Sequence, residues 1–109
     1  MTEATTVCAL ADLIPDRGAA ALLPSGEQVA VFRTGSGELF ALSNIDPFSR
    51  AAVLSRGIVG DLRGVPVVAS PMHKQHFALR TGECVEDPAV SVPVYPVRVE
   101  SGRVVVEAR

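Results

Sequence analysis

Cysteine is scarce in this chain, with only Cys8 and Cys84 in 109 residues. Two thiols are too few for a disulfide-built secreted scaffold, and both are expected to be reduced and to fill small apolar positions, as free cysteines usually do. Long apolar runs are missing as well. No stretch approaches the roughly 18–20 residues that cross a bilayer as a helix, so no membrane span is expected. The opening Met1-Thr2-Glu3-Ala4-Thr5-Thr6 has no basic residue followed by an apolar run, so it lacks the form of a secretory leader and a cytoplasmic address is expected. Neither sign of charge dominates: the formal net charge is −2 and the Lys and Arg residues are scattered. Without a basic stripe to neutralise phosphates, nucleic acid is a poor partner. No glycine-rich loop opens a helix, which removes the usual nucleotide cradle, and no nucleophile elbow is visible. Ser70 is near His73 in sequence, but a Ser-Pro step reads as a turn rather than as an activated nucleophile.

What the chain does have is apolar residues, 48% of the total, and this is enough to build a core. One domain spanning 1–109 is expected, since single cores commonly take roughly 50–200 residues. Short runs of β formers separated by turn signals point to an all-β fold. Val29, Val31 and Phe32, then Thr34-Gly35-Ser36-Gly37, then Leu39-Phe40-Ala41-Leu42 read as a hairpin. A second hairpin closes the chain. There Val97 and Val99, and after Ser101-Gly102 also Val104 and Val106, alternate with Arg98, Glu100, Arg103, Val105 and Glu107, which predicts one buried and one wet face. Val65–Ala69 reads as a central strand leading into a loop at Ser70, and Ala9–Leu13 as a single helical turn stopped by Pro15. Residues 44–64 are the least regular stretch, with Arg50, Arg56, Asp61 and Arg63 serving either as solvated surface or for ion pairing and docking. There is no internal repeat and no low-complexity tract.

Two segments look built to grip something: Asn44-Ile45-Asp46-Pro47-Phe48, and Ser70-Pro71-Met72-His73-Lys74-Gln75-His76-Phe77 running on into Leu79-Arg80-Thr81-Gly82-Glu83. His73 and His76 have a His-x-x-His spacing, but zinc takes four ligands and no further donors stand at standard spacing, so ordinary hydrogen-bonded or exposed histidines are expected. The two segments resemble the cluster-binding loops of Rieske-type ferredoxin domains, which carry Cys-Pro-His and Cys-Pro-x-His. On that frame Asp46 and Phe48 stand at the first ligand pair and Ser70 and His73 at the second. Only His73 is a standard ligand, so the resemblance implies a Rieske-like sandwich of short antiparallel strands with two tip loops and no cluster. Phe48 is expected to be buried at the vacated site.

With Val53–Asp61 between the loops, and Phe77, Leu79, Thr81, Gly82 and Cys84 after them, the chain from Val7 to Val106 resembles the small subunit of bacterial NAD(P)H-dependent nitrite reductase. That family implies a cytoplasmic, non-redox subunit without cofactors or catalytic residues of its own. Its partner is a large subunit carrying FAD, an iron–sulfur centre and siroheme, which reduces nitrite to ammonia in nitrate assimilation. The expected docking tip is Met72, Lys74, Gln75 and His76. Two rivals remain: a Rieske-type electron carrier with an unconventional centre, and a stand-alone binding module that keeps only the fold.

Overall fold

The computed structural model describes residues 4–72 and 74–108. Its strands are β1 (Ala4–Ala9), β2 (Arg17–Leu22), β3 (Gln28–Arg33), β4 (Leu39–Ser43), β5 (Ile58–Leu62), β6 (Val65–Ala69), β7 (His76–Ala78), β8 (Val94–Tyr95), β9 (Val97–Glu100) and β10 (Arg103–Glu107). They pair antiparallel in three sheets, ordered β1-β10-β9, β2-β3-β4-β8 and β5-β6-β7. The fold is all-β, as expected. No helix among the described residues is long and apolar enough to cross a membrane.

Strand β3 explains how the sheets share a core. Successive side chains of a strand point to opposite faces, and Val29, Ala30, Val31 and Phe32 are all buried. Ala30 and Phe32 enter one apolar cluster with Leu42, Leu54, Val68, Phe77, Leu79, Cys84 and Val92. Val29 and Val31 enter a second with Leu13, Leu23, Ala41, Tyr95, Val104 and Val106. A strand covered on both faces reads as a continuous apolar run, which is the pattern at 29–32. The neighbouring β2 has a glycine at a position with no room for a side chain. A Cβ added at Gly18, opposite Phe32, would lie 2.6 Å from the Phe32 ring and 2.5 Å from the Ser55 carbonyl.

Both hairpins form where expected. The first turns through Thr34–Glu38, with the Gly37 N–H donating to the Thr34 carbonyl at 2.9 Å and Gly37 at φ 94°. The second turns at Ser101 and Gly102. The alternation predicted for the second hairpin is only half right. Val105 is buried beside Val104 and Val106 because β10 is the middle strand of its sheet, whereas Val99 is exposed on the edge strand β9. The stretch 44–64 is also more regular than its composition suggests, since it holds a 3-10 turn at Leu54–Arg56 and the whole of β5. The helical turn expected at 9–13 is a 3-10 turn, Leu10–Asp12.

Cys84 is fully buried in the first cluster, and Cys8 packs half-buried against the second, so the two thiols belong to separate cores. Burial, and after it the nearby Asp12 charge, push the Cys8 thiol above its ordinary value, which favours the unreactive protonated form.

Candidate functional site

Loop 1 leaves β4 at Asn44, a buried residue that ties both ends of the loop. Its N–H donates to the Gln28 carbonyl at 3.0 Å, its carbonyl accepts from Leu54 N–H at 3.0 Å, and its Oδ1 accepts from Ser55 N–H at 2.7 Å. Inside this frame the Asp46 N–H donates to the Ala51 carbonyl at 2.9 Å, and the Asp46 carbonyl accepts from Arg50 N–H at 2.7 Å. Asp46 Oδ1 accepts from Phe48 N–H at 2.8 Å and from Ser49 N–H at 3.3 Å.

Loop 2, which joins β6 to β7, repeats this arrangement. The Ser70 N–H donates to the Gln75 carbonyl at 2.9 Å, the Ser70 carbonyl accepts from Lys74 N–H at 3.0 Å, and Ser70 Oγ accepts from Met72 N–H at 3.3 Å. Each loop places a side-chain acceptor first, a proline second, a large apolar residue third and a basic residue fifth. That fifth residue is left-handed in both, Arg50 at φ 63° and Lys74 at φ 62°. Proline presets the turn backbone and needs no hydrogen-bond acceptor, which suits it to the second position. So the sequence does contain a repeat, six residues long. It goes unnoticed because only the prolines are identical between Asp-Pro-Phe-Ser-Arg-Ala and Ser-Pro-Met-His-Lys-Gln.

The two loops are joined at their first residues. Ser70 Oγ donates to Asp46 Oδ2, and the two residues are 1% and 0% exposed. The Asp46 carboxylate therefore holds two backbone N–H groups and a hydroxyl, the kind of set a buried carboxylate needs to offset its desolvation. Phe48 is only partly buried. Its ring lies against buried Phe77, centroids 6.3 Å apart and planes tilted 45°, and the residue is 38% exposed. This corrects the expected burial, because the contact with Phe77 covers only part of the residue.

Of the other expected site residues, His73 lies outside the described residues. Met72 and Lys74 are exposed on loop 2, and Gln75 is half-buried, its Oε1 enclosed with no hydrogen-bond partner among the described residues. His76 is in β7 rather than on the loop. Its ring Nδ1 lies 2.5 Å from Glu86 Oε2, and its backbone N–H donates to Glu86 Oε1 at 2.7 Å. Slight burial works to raise the Glu86 carboxyl, but the His76 backbone N–H and ring outweigh it and hold the carboxyl below its ordinary value. Arg50 was expected as solvated surface or for ion pairing and docking, Asn44 only as the opening of the first segment, and Glu86 not at all. Arg50 belongs to a loop motif visible in sequence and Asn44 lies just before it, but Glu86 carries no local signal. Among the described residues, no three His, Cys, Asp or Glu side chains gather so as to hold a metal ion.

Residues 3–107 match the Rieske-like [2Fe-2S] domain model. The chain is 47% identical over 103 residues, 94% of each chain, to the nitrite reductase (NADH) small subunit of Salmonella typhimurium. The chain belongs to the Rieske-like family of nitrite reductase small subunits. A Mycobacterium tuberculosis structure described as an NADH-dependent nitrite reductase small subunit matches it with a TM-score of 0.97 and 54% identity, over 100% of this chain and 97% of that one. The ferredoxin of carbazole 1,9a-dioxygenase from Nocardioides aromaticivorans matches with a TM-score of 0.82 and 26% identity, over 94% and 95% of the two chains. A nitrite reductase [NAD(P)H] large subunit from Klebsiella oxytoca contains a segment 41% identical over 98 residues, 90% of this chain and 10% of that protein. The family expected from the two loops is the family found.

A Rieske-type [2Fe-2S] group does not fit the residues present. Two thiolates and two imidazoles hold such a cluster, whereas on the frame that the resemblance implies the thiolate positions fall on Asp46 and Ser70, which are hydrogen-bonded to each other and buried. Phe48 has no lone pair to offer.

Proposed function

We propose that this chain is a non-redox, cytoplasmic subunit that works as one Rieske-like domain over residues 1–109. It docks on a large flavin, iron–sulfur and siroheme subunit that reduces nitrite to ammonia. The electron chemistry belongs to the partner's cofactors, since side chains cannot supply it. One observation carries the reading: the buried Asp46–Ser70 hydrogen bond links the two loops through the residues that the resemblance puts at the thiolate positions, and such a link supports a tip held by protein chemistry. The occurrence of a similar segment inside the Klebsiella large subunit supports physical contact with that body, because a fused domain works beside the rest of its own chain.

The likeness to a ferredoxin favours the rival reading as an electron carrier, and the two differ in a direct measurement. Affinity purification from the native cell should bring down a large coloured partner, while this chain, once separated, is colourless. Stoichiometric iron and labile sulfide in the isolated chain after anaerobic reconstitution would establish the carrier instead. Purification without any large siroheme partner would favour a stand-alone module.

A further inference from the structure

We infer that Phe48 and Arg50 of loop 1 and Met72 and Lys74 of loop 2 act together as one two-pronged contact. The inference rests on the docking proposed above, and it names the receiving surface: apolar recesses rimmed by carboxylates on the large subunit. The matched loops are the first ground. Each presents an exposed large apolar residue at its third position, Phe48 at 38% and Met72 at 50% exposure, and an exposed cation at its fifth.

Charge is the second ground. Arg50 and Lys74 enter none of the ion pairs formed among the described residues. Of the acids, Asp46 in loop 1 is committed to buried hydrogen bonds and Glu86 to His76. The tip is thus a cationic edge on a chain whose net charge is −2. Exposed interface charges mainly govern association rate and salt dependence, whereas buried apolar anchors hold the complex once formed. Both loops also hold a non-glycine residue in the left-handed region at the same place, where glycine would be the relaxed choice. Retaining a long basic side chain there makes sense if the side chain itself is used.

The test is binding of the full chain to the isolated large subunit, followed as rates at low and high salt. Arg50→Glu and Lys74→Glu should each slow association about 3–10-fold at low salt and flatten its salt dependence. Phe48→Ala and Met72→Ala should each speed dissociation about tenfold. Arg50→Gly and Lys74→Gly remove the charge while suiting the backbone, so they should weaken binding with an unchanged or higher melting temperature. If only the loop 2 variants weaken binding, the two-pronged contact is wrong while docking by the tip stands. Loss confined to an Arg98→Glu control overturns both. A wild-type chain that self-associates through these four residues, and ignores the large subunit, places a second copy on the tip and also overturns the inference.

Discussion

At the scale of single residues, Asp46 and Ser70 make the loops one unit, and their contact can be measured as a coupling. Ser70→Ala leaves the buried carboxylate short of one donor and should cost about 1–3 kcal/mol. Asp46→Ala should cost more, since it strands the Phe48 and Ser49 N–H groups as well as the Ser70 hydroxyl. In urea unfolding the double variant should then be less destabilised than the sum of the singles, with a coupling of about 0.5–3 kcal/mol. Additive costs would mean the two side chains share no interaction. Phe48→Ala belongs to a milder class. With 38% of the residue exposed, its loss should stay well below the about 3–5 kcal/mol typical of a fully buried aromatic.

At the scale of elements, the exit of loop 2 through β7 is held by two devices. Gly82 is at φ 78°, and a Cβ there would meet the Val92 carbonyl oxygen at 2.1 Å. Its own carbonyl accepts the Val92 N–H at 2.8 Å, so the two segments cannot separate without losing a bond. Gly82→Ala should destabilise the fold by about 1–3 kcal/mol, read as a lower urea midpoint at constant slope. An unchanged midpoint would mean that this turn relaxes freely.

The second device is Glu86, which grips His76 at both backbone and ring. Its carboxyl lies below the ordinary value of 4.5. A carboxyl lowered in the folded state stabilises the fold above its unfolded pKa, and that contribution is lost as pH falls through the folded value. The melting temperature should therefore drop as pH falls below about 4.5, and less steeply in Glu86→Gln. Parallel curves for the two proteins would show that Glu86 plays no part in the acid response.

At the scale of the whole molecule, both apolar clusters share β3 as a wall, so they should melt together. The chain has one tyrosine and no tryptophan. That tyrosine, Tyr95, sits in the second cluster, so its fluorescence reports on that side alone. Phe32 belongs to the first cluster. Phe32→Ala should lower the Tyr95 transition and the circular-dichroism transition by the same amount, with one midpoint for both probes. Separate midpoints would show that the sheets unfold independently. Arg98 serves as the control for binding because it is exposed on the edge strand β9, outside both loops, and paired with Glu100 and Glu107.

The sequence by itself determined the strand type, the two hairpins, the run of β formers from Val29 to Phe32 and the two loops, because each is written in neighbouring residues. Apolar periodicity, turn residues and the Asp-Pro-Phe and Ser-Pro-Met-His spacings are local signals. Only the tertiary structure decided what met what. Strand β5 is interrupted by Gly60 and Asp61, so it is recognisable only by its pairing with β6. Val105 is buried, and Val99 exposed, because β10 lies between β1 and β9, and the β1–β10 pairing joins opposite ends of the chain. Glu86 reaches His76, and Asp46 reaches Ser70, across turns whose geometry no local pattern states. A period of two says which side of a strand is apolar, but not which surface will cover it, and a polar side chain does not announce its partner. Those choices are made when the sheets pack, and here they left Phe48 at the surface and a hydrogen bond between the loops.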